Sequence, residues 1–205
     1  YCMCGRFRVE ISPKDIIGFY RLIEEIDKRY KTNQAFFTTT PQDYYPGTIA
    51  PLLTQQGIEQ QSWGFPLDKK LVFNGRSESL EEKRMFQPLL DERRCAIPAT
   101  SFYEWNNKRK FTISTGTPYF FMAGLCRTEP DETGQLVNRF VILTTDADVD
   151  MEKIHPRMPV ILDPFILKDY LDPTLSYEAI RQHMAPWNRG LRIDLAQGEQ
   201  LSFLD

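Results

Sequence analysis

Residues 94–144, RCAIPATSFYEWNNKRKFTISTGTPYFFMAGLCRTEPDETGQLVNRFVILT, decide the fold. They contain five short segments rich in aromatic and aliphatic residues: Arg94–Ile97, Phe102–Trp105, Phe111–Ser114, Tyr119–Gly124 and Phe140–Thr144. Short apolar runs of this kind in quick succession read as β-strands. Three further extended segments lie upstream, Thr48–Thr54, Ile58–Trp63 and Leu71–Phe73, each bounded by Gly, Pro or charged residues. Nearer the start, Arg6–Glu10 alternates Phe7 and Val9 with polar neighbours, the pattern of a half-buried strand, and Phe7 is assigned to the core.

Helical spacing flanks these strands. Ser12-Pro13-Lys14-Asp15 offers a hydroxyl cap, a proline for the first turn and an acidic residue there; Ile16, Phe19, Tyr20, Ile23, Ile26 and Tyr30 then recur on one face. Residues Thr32–Pro46 lack a period and predict a long surface loop. Leu80–Leu90 reads as helical with Pro88 near its end, and the tail predicts short helices over Asp163–Leu171 and Tyr177–Met184. The sum is an α+β fold with a mostly antiparallel, barrel-like β core and peripheral helices, in one domain spanning residues 1–205.

Composition narrows the function. With 205 residues, 41% hydrophobic and 13% aromatic, the chain has ample apolar surface to fold. Its longest apolar runs fall far short of the roughly 20 residues a membrane helix needs. Charge throughout the first 30 residues leaves no apolar signal core, so a cytoplasmic protein is expected, and it is read as a monomer. Four cysteines and two histidines without a C-x-x-C pair argue against a disulfide framework, a structural metal or another cofactor; Cys95 and Cys126, in apolar strands, read as inert. His183 falls near a predicted helix C-terminus, a place that favours a cation. A formal charge of −3 gives no global basic field, so any nucleic-acid contact must come from a local patch.

Dense polar groups among bulky neighbours occur in Cys4-Gly5-Arg6-Phe7, in Trp63-Gly64 with Asn74-Gly75-Arg76-Ser77-Glu78, in Ile97-Pro98-Ala99 with Phe102-Tyr103-Glu104-Trp105, in Leu143-Thr144-Thr145, and in His155-Pro156-Arg157-Met158-Pro159. Any one of these has an ordinary structural explanation. In this order, from residue 4 to about residue 162, the set resembles the SRAP (SOS-response-associated peptidase) family, proteins that crosslink to abasic sites in single-stranded DNA.

The resemblance implies a role for each motif. An N-terminal cysteine carries an amine and a thiol on adjacent carbons, so Cys4 would condense with the abasic aldehyde to an imine and then close to a thiazolidine, the second attack gaining from tethering. Glu104, packed beside aromatics, is expected to have a raised pKa and to move protons, with His155 sharing the transfers or orienting the opened sugar. Asn74 would hydrogen-bond the sugar or hold the amino terminus. Arg6, Arg76 and Arg157 would clamp phosphates. Trp63, with Gly64 beside it, and Met158 would offer surface to flanking bases, core packing being the rival for Trp63; Phe102, Tyr103 and Trp105 are expected to be buried.

Tyr1-Cys2-Met3 precedes Cys4, and a peptide nitrogen there would forbid imine formation. Three accounts stand: Met3 is the start, the protein removes its own leader through the Cys4 thiol with Glu104 and His155, or the chain is a non-crosslinking variant. Cys2 is the weaker nucleophile because no Gly-Arg-Phe follows it. Two rival functions share these residues. One is a cysteine peptidase or amidohydrolase acting on a peptide or small amide; the other is a module that grips single-stranded nucleic acid without a covalent step.

Overall fold

Strand pairing closes on itself. The computed structural model describes residues 5–26 and 39–196. In chain order its strands are β1 (Phe7–Val9), β2 (Gln42–Tyr44), β3 (Ile49–Thr54), β4 (Gly57–Trp63), β5 (Phe65–Leu67), β6 (Lys70–Val72), β7 (Asn74–Arg76), β8 (Arg94–Ala99), β9 (Ser101–Asn106), β10 (Arg109–Ser114), β11 (Phe120–Pro130), β12 (Leu136–Asp146), β13 (Arg157–Pro159), β14 (Ile161–Leu162) and β15 (Arg192–Leu195). The helices are α1 (Ile16–Ile26), α2 (Pro164–Tyr170) and α3 (Tyr177–Ile180). Around the ring β4 pairs with β3, β3 with β8, β8 with β11 and β11 with β12, all antiparallel, and β12 returns to β4 in parallel register with Phe140 beside Trp63. The result is a closed five-stranded barrel with additional strands.

Alternation decides which side chains fill the barrel. Leu52, Trp63, Ile97, Met122, Phe140 and Ile142 point inward and are completely buried. Each such side chain contributes roughly 1.5–3 kcal/mol by leaving water. Trp63 and Phe140 stack with ring centroids 6.1 Å apart. Closure leaves no room at Gly124, where a Cβ would come within 2.5 Å of Ile97 Cδ1 and 2.7 Å of the Val141 carbonyl oxygen.

The second sheet runs β15-β10-β9-β1-β2 and covers one end of the barrel. Phe7 meets Trp63 at 5.2 Å between ring centroids and Phe102 meets Phe120 at 6.4 Å. On the outer surface Phe19 of α1 packs at 4.9 Å from the Tyr119 ring and 5.9 Å from Phe121. The tail is fastened by Arg94, whose Nε donates to the Tyr170 carbonyl, Nη1 to those of Leu90 and Asp91, and Nη2 to those of Asp172 and Leu175, all at 2.6–2.8 Å. Among the described residues no helix is long and apolar enough to cross a membrane.

Several expectations are corrected here. Leu80–Leu90 is not a helix but a series of turns with a single 3-10 turn over Gln87–Leu89. Pro88 lacks the N–H an α-helix needs, and Leu80, Phe86 and Leu90 are each buried separately. The described part of the Thr32–Pro46 loop contains β2, which pairs with β1; three residues are too few to show a period. Tyr30 and residues 32–38 lie outside the described residues. The tail helices shorten to α2 and α3, capped by Asp163 and Ser176, and a 3-10 turn over Arg181–Met184 follows α3.

Candidate functional site

β9 brings the first functional side chain to the covered end of the barrel. Phe102 and Glu104 share the face toward the barrel, so the Glu104 carboxyl is only 2% exposed. β1 runs antiparallel beside it, with Phe7 opposite Phe102 and the Tyr103 N–H donating to the Arg6 carbonyl at 3.0 Å. Continued by two residues, this register sets Gly5 opposite Glu104. Cys4, the expected nucleophile, and Cys2 lie outside the described residues.

β7 supplies the second group. It lies parallel to β12, with Asn74 beside Ile142 and Arg76 beside Thr144, so both side chains leave on the face that lines the barrel. Asn74 Nδ2 donates to the Ile142 carbonyl at 3.4 Å, which turns its Oδ1 away as an acceptor for an incoming N–H or O–H. Gly75 between them points the other way, where a Cβ would meet Leu80, Leu143 and Phe86 at 3.1–3.3 Å. Arg76 is exposed and forms no ion pair among the described residues.

The loop before β13 supplies the third. His155 Nδ1 lies 3.2 Å from both the backbone N–H and the carbonyl oxygen of Arg157, so the residue two positions on holds the ring in place and leaves Nε2 turned away from it. Asn106, two residues beyond Glu104, donates to the Lys153 carbonyl at 2.8 Å and ties this loop to the end of β9. Asn106 carries no motif signal, which is why sequence reading passes over it.

Arg157 joins these pieces and is not a free clamp. Its Nη1 lies 2.5 Å from Asp146 and 2.7 Å from Glu78, and Nη2 donates to Glu78 at 2.8 Å and to the Thr144 carbonyl at 2.9 Å. Burial works to lower its pKa, but hydrogen bonds and charges from Glu78 and Asp146 win and raise it. Glu78 shows the converse. Burial pushes its carboxyl up, yet Arg157, a backbone N–H and the charge of Arg76 hold it below the usual range.

Arg6 is likewise committed, since its Nε and Nη2 donate to Asp43 Oδ2 at 3.0 and 2.6 Å while the guanidinium lies 5.3 Å from the centre of the Tyr103 ring. Asp43 also receives Arg8 and the Tyr103 hydroxyl, each at 3.3 Å. It is a hub that sequence reading missed, because β2 carries no periodic signature.

Three expected base contacts are corrected. Trp63 is completely buried, with Nε1 donating to the Phe73 carbonyl at 2.9 Å, so neither face of its ring can reach a base. Gly64 is buried with φ at +117°, and an added Cβ would strike Leu71 at 2.5 Å; its place is structural. Met158 is 1% exposed opposite Thr145. Trp105, expected inside with Phe102 and Tyr103, is 44% exposed because it occupies the outer face of β9. Structure therefore gathers Glu104, Asn74, His155, Arg157 and Arg76 around one end of the barrel and withdraws Trp63, Gly64 and Met158 into the core.

Barrel, covered end and ordered motifs together define a family. The model of the SOS response associated peptidase (SRAP) domain matches residues 3–195, and the chain belongs to the SRAP family. Among its relatives are the abasic site processing protein YedK of Escherichia coli strain K12, 30% identical over 190 residues that cover 85% of this chain and 82% of the relative, and the abasic site processing protein YoqW of Bacillus subtilis strain 168, 31% identical over 184 residues that cover 83% and 81%. The fold recurs in crystal structures of a protein from Bacteroides thetaiotaomicron, with a TM-score of 0.74 at 20% identity over 95% of this chain and 92% of that one, and of a protein from Bordetella bronchiseptica, with 0.74 at 19% over 95% and 100%. The expected α+β fold with a barrel-like core is thus the fold observed.

Proposed function

We propose that this protein recognises abasic sites in single-stranded DNA and captures the exposed aldehyde through Cys4. One observation carries the reading: β1 pairs with β9, Phe7 opposite Phe102, and the same register extended by two residues would bring Gly5, the residue after Cys4, to the buried Glu104. With Cys4 as the first residue, its amine adds to the aldehyde carbon and the carbinolamine loses water to give an imine. The thiol then adds to the imine carbon, its proton passing to the nitrogen, and a thiazolidine closes. Glu104 protonates the departing hydroxyl and His155 takes part in the transfers. Asn74 Oδ1 accepts from the amine, and Arg76 engages a flanking phosphate. Arg157 and Arg6 act one step back, fixing the loop that carries His155 and the strand that leads to Cys4. The protein acts as a cytoplasmic monomer. Family membership and the names of its relatives support lesion processing in general, and the register supports this chemistry in particular.

An oligonucleotide with one abasic site, incubated with the protein and resolved under denaturing conditions, is expected to give a heat-stable adduct. Mass spectrometry of the mature N-terminus is expected to find Cys4 first. Cys4→Ala is expected to abolish the adduct and Glu104→Gln to slow it by about 10² or more. An undiminished adduct from Cys4→Ala overturns the proposal, as does the absence of adduct from a chain that begins at Cys4. Lesion-independent, steeply salt-dependent binding with no adduct would instead identify a non-covalent module.

A further inference from the structure

The opposite end of the barrel breaks the inward pattern. Trp63 and Phe140 fill the interior, but two residues further toward the open end the same strand faces present Gln61 and Asn138, joined by Glu59, Thr54, Thr128 and Cys126. These side chains line a pocket of about 120 Å³. Asn138 and Thr144 are six residues apart on β12, so this pocket lies about 20 Å along the strand from Arg157 and Arg76.

Two side-chain amides of the pocket point their donors at one carboxylate. Gln61 Nε2 and Asn138 Nδ2 donate to the Glu59 carboxylate at 2.8 and 3.4 Å, the single Thr54 hydroxyl proton is shared between Glu59 at 3.1 Å and the Gly57 carbonyl at 3.0 Å, and Thr128 Oγ1 donates to Asn138 Oδ1 at 2.8 Å. Donors are thereby consumed on Glu59. Gln61 is 4% exposed and its Oε1 has no hydrogen-bond partner among the described residues. Turning the amide over would set that oxygen against Glu59, so the orientation is fixed and the buried acceptor persists. A buried acceptor without a donor is destabilising. Among the charged residues around the pocket only Glu59 faces inward. Arg94 turns outward to its five carbonyls, Arg127 pairs with Glu129 at 2.7 Å, and Glu92 and Arg93 bring one charge of each sign to the rim. An uncompensated carboxylate beside an orphan carbonyl selects a cation that donates hydrogen bonds.

We infer that the open mouth of the barrel binds the ammonium head of a small aliphatic amine, held by Glu59 and Gln61 Oε1. This site is independent of the crosslinking reading. Thermal unfolding and calorimetric titration of the full chain with methylammonium chloride test it, with tetramethylammonium chloride, which lacks N–H donors, and sodium chloride at matched ionic strength. A saturable rise in Tm is expected with methylammonium alone. Glu59→Gln and Gln61→Met are each expected to weaken binding by about tenfold or more. If Glu59→Gln fails to fold, Gln61→Met and the comparison of salts on the unaltered chain carry the test. Equal responses to the three salts, meaning that the pocket holds water only, overturn the inference, as does unchanged affinity in the variants that fold.

Discussion

Two buried arginines mark the two ends of the barrel and are held in opposite ways. Arg94, completely buried, donates to five backbone carbonyls, and burial lowers its pKa. Arg157, 8% exposed, is held by two carboxylates and one carbonyl, and its pKa is raised. One is a staple whose bonding partners cannot titrate. The other is a junction whose partners can, and it braces the loop that carries His155. A protein that needs its covered end adjustable and its tail fixed is served by that division.

The largest expected difference between the ends is in stability. Arg94→Met strands five carbonyls and frees the tail helices from β8, a loss of about 3–5 kcal/mol in chemical denaturation. Arg94→Lys is expected to recover little of it, because an ammonium has three donors and cannot reproduce the planar fork. Retention of near wild-type stability by Arg94→Met would show that the staple is redundant.

Arg157→Met is expected to reduce stability by about 1–2 kcal/mol, because Glu78 and Asp146 are well exposed and water replaces part of what is lost. Its adduct yield should fall by more than that stability loss explains, through displacement of the His155 loop. Adduct formation equal to wild type would confine Arg157 to the frame.

Acid should separate the two further. The Glu78 carboxyl is depressed in the folded state, so its contribution is complete above the unfolded value of roughly 4.3 and is lost as pH falls through the folded value. The stability gap between wild type and Arg157→Met is therefore expected to narrow as pH falls below about 4.3, while the gap for Arg94→Met changes far less. Parallel pH profiles for the two variants would break the comparison.

Smallest in stability is Arg76→Ala, expected within about 0.5 kcal/mol of wild type. Its effect belongs in binding instead. Affinity for abasic single-stranded DNA should fall and the salt dependence should flatten by about one unit of slope. An unchanged slope would remove Arg76 from the interface.

Legibility in the sequence followed the length scale of each signal. Apolar runs in Arg94–Ile97 and Phe140–Thr144 made strands visible, and the tail helices stood out in the sequence over longer spans than α2 and α3 occupy. Leu80–Leu90 misled because apolar spacing alone cannot tell a helix from turns that each bury one residue. Trp63 misled for a related reason: an aromatic side chain reads the same whether its strand faces core or solvent. Asp43 stayed invisible because its meaning lies entirely in Arg6, Arg8 and Tyr103, which sequence distance hides.

By itself, then, the order of residues determined a sheet-rich chain and the presence of a thiol, a carboxyl, an amide, an imidazole and arginines in recognisable succession. Tertiary structure alone decided that β12 returns to β4, that Arg157 is spoken for while Arg76 is exposed and, among the described residues, free of ion pairs, and that the barrel has a polar open end. The physical reason is that chemistry is written in side-chain types, which are local, whereas exposure and partnership depend on which strands become neighbours after closure.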